Sequence, residues 1–344
     1  SSFARKTRVN GLAEVRVSFM AREAATGRIA LGYANSNLDI LDGDQVLNIP
    51  DILLSNVSGD KRLNTAIWSG SELLIGSGLG IIAVNADMRE VTDTWRVGAG
   101  GAAIPVTSLV AKDGYLYAAC SEGLRRGRYP GANLADPAAW EAVAGGALIS
   151  GAVDRVLVHN GELYALKHDS LLRNTSGVWT LFHQATGKVT GLDDTPRGIA
   201  VETTSGGKGM VEVLDDLGAI SVMLNTPSIS EPMQTALSDE GWWVADKNNG
   251  LLLIAQDGEH RTFPNSPIST ADGAMYADSK ELVVAAGSVN DSWNYQYDPN
   301  GFYRFDGGYW TNVNLYVEPA LDTVLDLIAV ARDNGGQRLF LGSY

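Results

Sequence analysis

Short apolar segments recur along this chain at a nearly constant interval, and no other feature constrains the fold as much. They begin at Arg28 (RIALG), Glu72 (ELLIG), Tyr115 (YLYAA), Glu162 (ELYAL), Arg197 (RGIAV), Gly241 (GWWVA), Glu281 (ELVVA) and Arg338 (RLFLG), spaced by 44, 43, 47, 35, 44, 40 and 57 residues. Each run is too short for a packed helix and is bounded by Gly, Ser, Asn or Asp, the residues that tolerate the positive φ of tight hairpins. The stretch from Trp68 to Trp95 shows the unit most plainly: a strand, a Ser-Gly turn, Glu72 to Gly76, a Gly-rich turn, Ile81 to Asn85, a polar turn, then Thr94-Trp95. That is a four-stranded antiparallel meander. A repeat of roughly 40 to 50 residues is the length of a propeller blade, and one such sheet buries both faces only by stacking on its neighbours.

The spacing therefore predicts an all-β chain, a β-propeller of four-stranded antiparallel blades forming a single domain over residues 1–344. Eight units are countable. Leu325 to Tyr344 supplies only inner strands, so the last blade is expected to be completed by an outer strand at Ser1 to Val9; the count is seven if these fragments belong to a neighbouring domain or one unit is irregular. Turns are predicted at Lys112-Asp113-Gly114 and His159-Asn160-Gly161, and an aromatic is expected to open the outer strands at Trp95, Trp179 and Trp310. The abundance of Gly, 39 residues, with 8 Trp and 12 Tyr fits many short strands joined by turns.

Charge and cysteine content narrow the function. A net charge of −14 argues against nucleic acid, whose phosphates require clustered Lys and Arg. The single cysteine, Cys120, excludes an internal disulfide and a multi-thiolate zinc site, and its setting in Tyr115 to Cys120 reads as a small buried strand residue. No apolar run has transmembrane length, and no signal peptide is recognisable, so a processed or trimmed piece of a longer protein is expected.

The catalytic inventory is sparse. No Gly-x-Ser-x-Gly elbow occurs, and the four histidines, His159, His168, His183 and His260, form no His-Glu-x-x-His pair. They read as exposed turn or strand residues. Gly76, Gly78 and Gly80 precede a strand rather than the helix a phosphate loop needs, so they read as a turn. The doublets Asp193-Asp194 and Asp215-Asp216 point their neighbouring side chains to opposite faces of an extended chain and read as solvated turns. No catalytic residue, metal site or cofactor is expected.

The spacing of 57 residues stands apart because residues Gly287 to Gly301 are inserted within one unit. An insert in a repeat protein maps to a loop on one face, often the functional one. It places Asp291, Trp293, Tyr295, Tyr297, Asp298, Asn300 and Tyr303 together as the candidate binding residues. Aromatic rings on a loop stack on sugars or anchor proteins, burying much area at little entropy cost. Packing onto the neighbouring blade is the competing role, chiefly for Trp293 and Phe302. The oxygens of Asp291, Asp298 and Asn300 follow no recognisable calcium-loop pattern.

Several segments are more specific than the repeat. The run from Gly32 to Gly43 with Asn48-Ile-Pro-Asp51 and Ser58-Gly-Asp-Lys61, and later Asp246 to Leu251 and Asp291 to Gly308, resemble the first propeller of PorZ-like type IX secretion system proteins of Bacteroidota. The resemblance implies a non-enzymatic surface component that works with a PorU-like sortase and with lipopolysaccharide or another glycan. It also implies a location in the cell envelope, at the outer-membrane surface or in the periplasm. That family carries a second propeller and a small C-terminal domain beyond the part matched here, so the chain reads as a fragment. The linker Asn10-Gly-Leu12 and the pattern Leu74 to Gly80 are also similar to periplasmic ligand-sensing propellers of hybrid two-component regulators, which repeat that linker before many blades.

Overall fold

The computed structural model describes residues 6–8, 11–262, 265–315, 317–333 and 338–344. Among these, seven four-stranded antiparallel sheets and one strand pair follow one another, each sheet bonded in the order in which the chain makes its strands. Sheets 1 to 6 span residues 17–49, 63–95, 106–143, 155–184, 188–224 and 232–262; sheet 7 spans 275–313 and the pair spans 327–343. The protein is all-β, a β-propeller built of meanders. The chain divides into two compact units, residues 1–261 and 262–344.

Sheet 2 shows why the apolar runs are continuous. Its strands are Leu63–Ser69, Glu72–Ser77, Gly80–Asn85 and Glu90–Trp95. Successive side chains point to opposite faces. Leu73, Ile75, Ile82 and Val84 therefore enter the core shared with sheet 1, while Leu74, Ile81 and Ala83 enter the core shared with sheet 3. With both faces covered, no polar alternation is needed. Each fully buried Leu or Ile contributes about 1.5–3 kcal/mol. Equivalent clusters fill the spaces between sheets 3 and 4, 4 and 5, and 5 and 6, and a separate core lies within residues 262–344.

The hairpins have the backbone their residues predict. Asp113 and Gly114 have φ of 50° and 76°, and Asn160 and Gly161 have 47° and 76°, the paired positive φ of a two-residue turn that matches strand twist. Trp179 is buried in the outer strand of sheet 4 and Trp310 opens that of sheet 7. Trp95 instead ends its outer strand, Glu90–Trp95, where Gly80 leaves room beneath it: a Cβ on Gly80 would stand 2.2 Å from the Trp95 carbonyl oxygen.

Polar residues in the first strands have a shared task that periodicity does not show. Asn64 Nδ2 donates to the Val106 carbonyl at 2.9 Å, Ser108 Oγ to Val156 at 3.0 Å, and Arg155 Nη2 to Thr190 at 3.1 Å; Thr190 Oγ1 donates to Pro232. Each satisfies a carbonyl on the otherwise open edge of the next sheet. Unpaired edge groups invite foreign strands, and this ladder occupies them from within.

The run from Gly32 to Lys61 is likewise structural. The Asp39 carboxylate accepts from Tyr33 Oη at 2.6 Å, Ala13 N at 2.8 Å and Asn48 Nδ2 at 2.8 Å. Asn48 also donates to Asn37 Oδ1 and the Leu38 carbonyl, both at 3.0 Å. Lys61 Nζ donates to the carbonyls of Ile52, Leu53 and Ser55, closing the single helical turn Asp51–Leu54. Leu327–Arg332 and Leu339–Ser343 are the two strands found after sheet 7 among the described residues. Most of the outer strand expected at Ser1 to Val9 lies outside those residues.

Candidate functional site

The insert joins the second and third strands of sheet 7, Leu282–Ala285 and Phe302–Phe305. Its tip is a small hairpin in which Val289 pairs with Tyr295. The Asn290 carbonyl accepts from Trp293 N at 2.8 Å, and the Asn290 side chain accepts from the amides of Ser292 and Asn294 at 3.0 and 2.9 Å. Trp293 and Tyr297 both have positive φ, 58° and 57°. Bulky residues seldom occupy this region, and strain of this kind persists only where neighbouring bonds over-determine it.

The Asn290 bonds hold Trp293, and Asp326 supplies those at Tyr297. The Asp326 side chain is fully buried and its carboxylate accepts from the amides of Gln296 at 3.1 Å, Tyr297 at 2.9 Å and Asp298 at 2.9 Å. Its own amide donates to the Asp298 carbonyl at 2.9 Å, and its carbonyl accepts from Tyr344 N at 3.2 Å. One residue thus ties the base of the insert to the end of the last strand pair.

The result is an exposed aromatic ledge. Trp293, Tyr295, Tyr297 and Tyr344 are 67%, 53%, 71% and 42% exposed. Tyr295 stacks beside Tyr297 with centroids 6.0 Å apart and meets Tyr344 edge-on at 5.1 Å, while Trp293 lies 6.4 Å from Tyr344. Exposed rings held by backbone bonds are pre-organised to cover an apolar or sugar face.

The ledge uses some of the predicted residues and not others. Trp293, Tyr295 and Tyr297 come together in it, and Asp291 is exposed at the hairpin tip. Asp298 and Asn300 turn inward: the Asp298 side chain accepts from Asn300 N at 2.7 Å, and Asn300 Nδ2 donates to Ser269 Oγ at 3.3 Å. Tyr303 is corrected to a core residue, fully buried with its hydroxyl 2.6 Å from Ser269 Oγ, because it lies one residue inside the third strand. Phe302 is buried beside it. Asp326 and Tyr344 carried no sequence signal, since only the pairing of the last two strands brings them to the insert. Among the described residues, no group of three or more His, Cys, Asp or Glu side chains is arranged to hold a metal ion.

Elsewhere, Asp193 and Asp194, expected in a solvated turn, lie in the strand Lys188–Thr195 and face opposite seams, while Asp215 and Asp216 do lie in the turn after Lys208–Leu214, where Asp215 accepts from the amides of Leu217 and Ala219. Asp194 faces sheet 4 and meets His159 Nδ1 at 2.6 Å, while Asp216 lies 3.3 Å from His159 Nε2 and accepts from Asn160 Nδ2 at 2.8 Å. His159, expected to be exposed, is buried. With both ring nitrogens engaged it has no free position for a substrate or a metal. His183 is also sequestered, 2.9 Å from buried Glu212, whereas His168 and His260 are exposed. Gly78 is a close-packing position: a Cβ there would stand 2.3 Å from the Asp60 carbonyl oxygen. A broad depression of about 640 Å³ between sheets 4 and 5 is lined in part by Asp154, Arg155, Asp169 and Lys188. Asp154 there accepts from the His168 amide at 2.6 Å.

Residues 1–141 match the family model described as the type IX secretion system PorZ N-terminal β-propeller domain. Among solved structures, PorZ of Porphyromonas gingivalis, described as an essential bacterial surface component of that system, is similar at 21% identity with a TM-score of 0.70. The match covers 98% of this chain and 45% of that one. The extracellular domain of a putative hybrid two-component system from B. thetaiotaomicron is similar at 14% identity and a TM-score of 0.55, covering 99% of this chain and 52% of that one. A second such domain from that organism shows 13% identity and a TM-score of 0.50, with coverages of 95% and 49%. This chain thus spans about half the length of these structures. No curated protein sequence matches it. The segments Gly32 to Gly43, Asn48 to Asp51 and Ser58 to Lys61 lie inside the matched region and form the network around Asp39 and Lys61 described above. Residues 1–141 carry the PorZ N-terminal β-propeller pattern of the type IX secretion system, and the propeller fold that follows them is shared with PorZ.

Proposed function

We propose that this chain is a non-catalytic, PorZ-like propeller of the bacterial cell envelope that takes part in surface attachment of type IX secreted cargo. Its ledge of Trp293, Tyr295, Tyr297 and Tyr344 would meet the sugar chain of lipopolysaccharide, with an envelope protein such as a PorU-like sortase as the alternative occupant. The observation that carries this reading is the pairing of a PorZ-type sequence match over residues 1–141 with an exposed, backbone-anchored aromatic surface on the one irregular unit. Ring faces suit the apolar faces of sugars, and the polar tip at Asp291 and Asn294 supplies hydrogen-bonding groups beside them. The occupied nitrogens of His159 support a non-catalytic role.

The test is binding of the whole chain to immobilised lipopolysaccharide from a type IX-secreting bacterium. Tyr295→Ala and Tyr297→Ala are each expected to weaken binding about tenfold, the loss typical of an aromatic anchor. Unchanged binding by both variants refutes the ledge as the glycan surface. Capture of a sortase instead moves the assignment to the protein partner. A ligand-sensing role in a hybrid two-component regulator is the second reading, favoured by the shared fold of the two extracellular domains. A defined soluble oligosaccharide that raises the melting temperature while lipopolysaccharide has no effect would favour it.

A further inference from the structure

Sheet 5 contains a buried acid that no partner satisfies. Glu202, in the second strand Gly198–Ser205, is fully buried, and neither of its carboxylate oxygens makes a hydrogen bond of ordinary geometry. It lies opposite Gly191 of the first strand Lys188–Thr195. The missing side chain makes room for the carboxyl, since a Cβ on Gly191 would stand 2.6 Å from Glu202 Oε2 and 2.5 Å from the Met233 carbonyl oxygen. The groups facing Glu202 are the Asp193 carboxylate from the first strand of its own sheet and the Thr235 hydroxyl from the first strand of sheet 6, Pro232–Ser238. Asp193 in turn accepts from Thr235 N at 2.8 Å, and Gln234 and the Arg155 guanidinium bear on it. The Thr235 hydroxyl is likewise buried and makes no hydrogen bond of ordinary geometry.

Two deprotonated carboxylates here would be acceptors facing acceptors, at like charge and away from water. Such a pair does not ionise fully. We propose that Glu202 and Asp193 hold a single proton between them in the native protein, and that this proton joins the first two strands of sheet 5 where they face the first strand of sheet 6. One proton supplies the donor that Glu202 lacks and places it between the two acids. It also leaves the set of two carboxyls and Arg155 neutral, which favours a proton over a metal cation at this place. Burial, and then the charge of Asp193, push the Glu202 carboxyl up to about 8, and burial raises Asp193 as well.

The sign of the pH dependence follows. The native state keeps the proton to a higher pH than the unfolded chain, where Glu has its ordinary value of 4.5. Stability from this site is therefore whole below 4.5, falls about tenfold in the folding constant per pH unit between 4.5 and 8, and levels off above. Sheet 5 is thus alkali-sensitive at this site.

The experiment compares urea unfolding of the whole chain and of Glu202→Gln from pH 5 to 9. The amide imitates the protonated acid, donating to Asp193 without ionising. The ratio of the variant's folding constant to the wild type's is expected to rise about tenfold per pH unit up to about 8, with the variant the more stable at pH 8.5. Parallel pH profiles overturn the proposal. So does a calcium-induced rise in the wild-type midpoint at pH 7 that Glu202→Gln abolishes, because that reports a cation in place of the proton. If the variant fails to fold, the ¹³C shift of the Glu202 carboxyl in the unmodified protein decides: a protonated value at pH 6.5 supports the proposal and an ionised value overturns it.

Discussion

Replacing Asp326 tests whether one buried carboxylate builds the aromatic ledge. It accepts three amide hydrogens, one on Oδ1 from Asp298 and two on Oδ2 from Gln296 and Tyr297. Hydrogen bonds to a charged group contribute about 1.5–3 kcal/mol each, and a donor stripped of its acceptor away from water costs about 1–3 kcal/mol. Three coupled bonds in one loop add less than linearly, so Asp326→Ala is expected to cost about 3–5 kcal/mol. Asp326→Asn is the informative companion. Its amide oxygen can serve Gln296 and Tyr297, but its NH₂ then faces the Asp298 amide, donor against donor, for a loss of about 1.5–3 kcal/mol. Urea unfolding gives the two costs in that order. Hydrogen exchange localises them: amides 296–298 lose protection in Asp326→Ala before the rest of the chain does. An Asp326→Ala protein within 1 kcal/mol of wild type, about fivefold in the folding constant, with unchanged exchange at those amides, would refute the assignment.

Two further outcomes follow from particular contacts. A double-mutant cycle on His159→Ala and Asp194→Ala is expected to give a coupling of about 0.5–2 kcal/mol, since the pair is 2.6 Å apart across the seam between sheets 4 and 5; a value near zero removes the bridge. Cys120 is buried, donates to the Gly123 carbonyl and has its thiol pushed up by burial. It is expected to resist a disulfide reagent at pH 8 in the folded protein and to react once urea unfolds it, whereas reaction in the native state at the unfolded rate contradicts its burial.

Much of the architecture was legible because a propeller repeats its local rules. All eight second-strand segments found by spacing, from Arg28 to Arg338, coincide with strands, and the Asp-Gly and Asn-Gly turns adopt the φ values their residues favour. The insert at Gly287 to Gly301 was visible as a break in that period. Less was legible wherever a contact joins distant segments. The doublet Asp193-Asp194 does split between opposite faces, but it lies in a strand rather than the solvated turn expected, with Glu202 and Thr235 on one side and His159 on the other. Those partners come from other strands and other sheets, 9 to 42 residues away in sequence. Tyr303 was misplaced for the opposite reason: it is adjacent to the insert in sequence, but strand pleating turns its ring into the core.

Sequence alone determined that this chain forms stacked four-stranded meanders, because strand length, turn residues and repeat interval act over a few residues at a time. It also determined which unit departs from the pattern. The tertiary structure decided what the departure builds. Trp293 and Tyr295 are placed by the hairpin around Asn290 and Tyr297 by the buried Asp326, and Tyr344 joins them because the last two strands pair beside the insert. Side chains convergent in space but remote in the chain are selected by packing, which no local rule encodes.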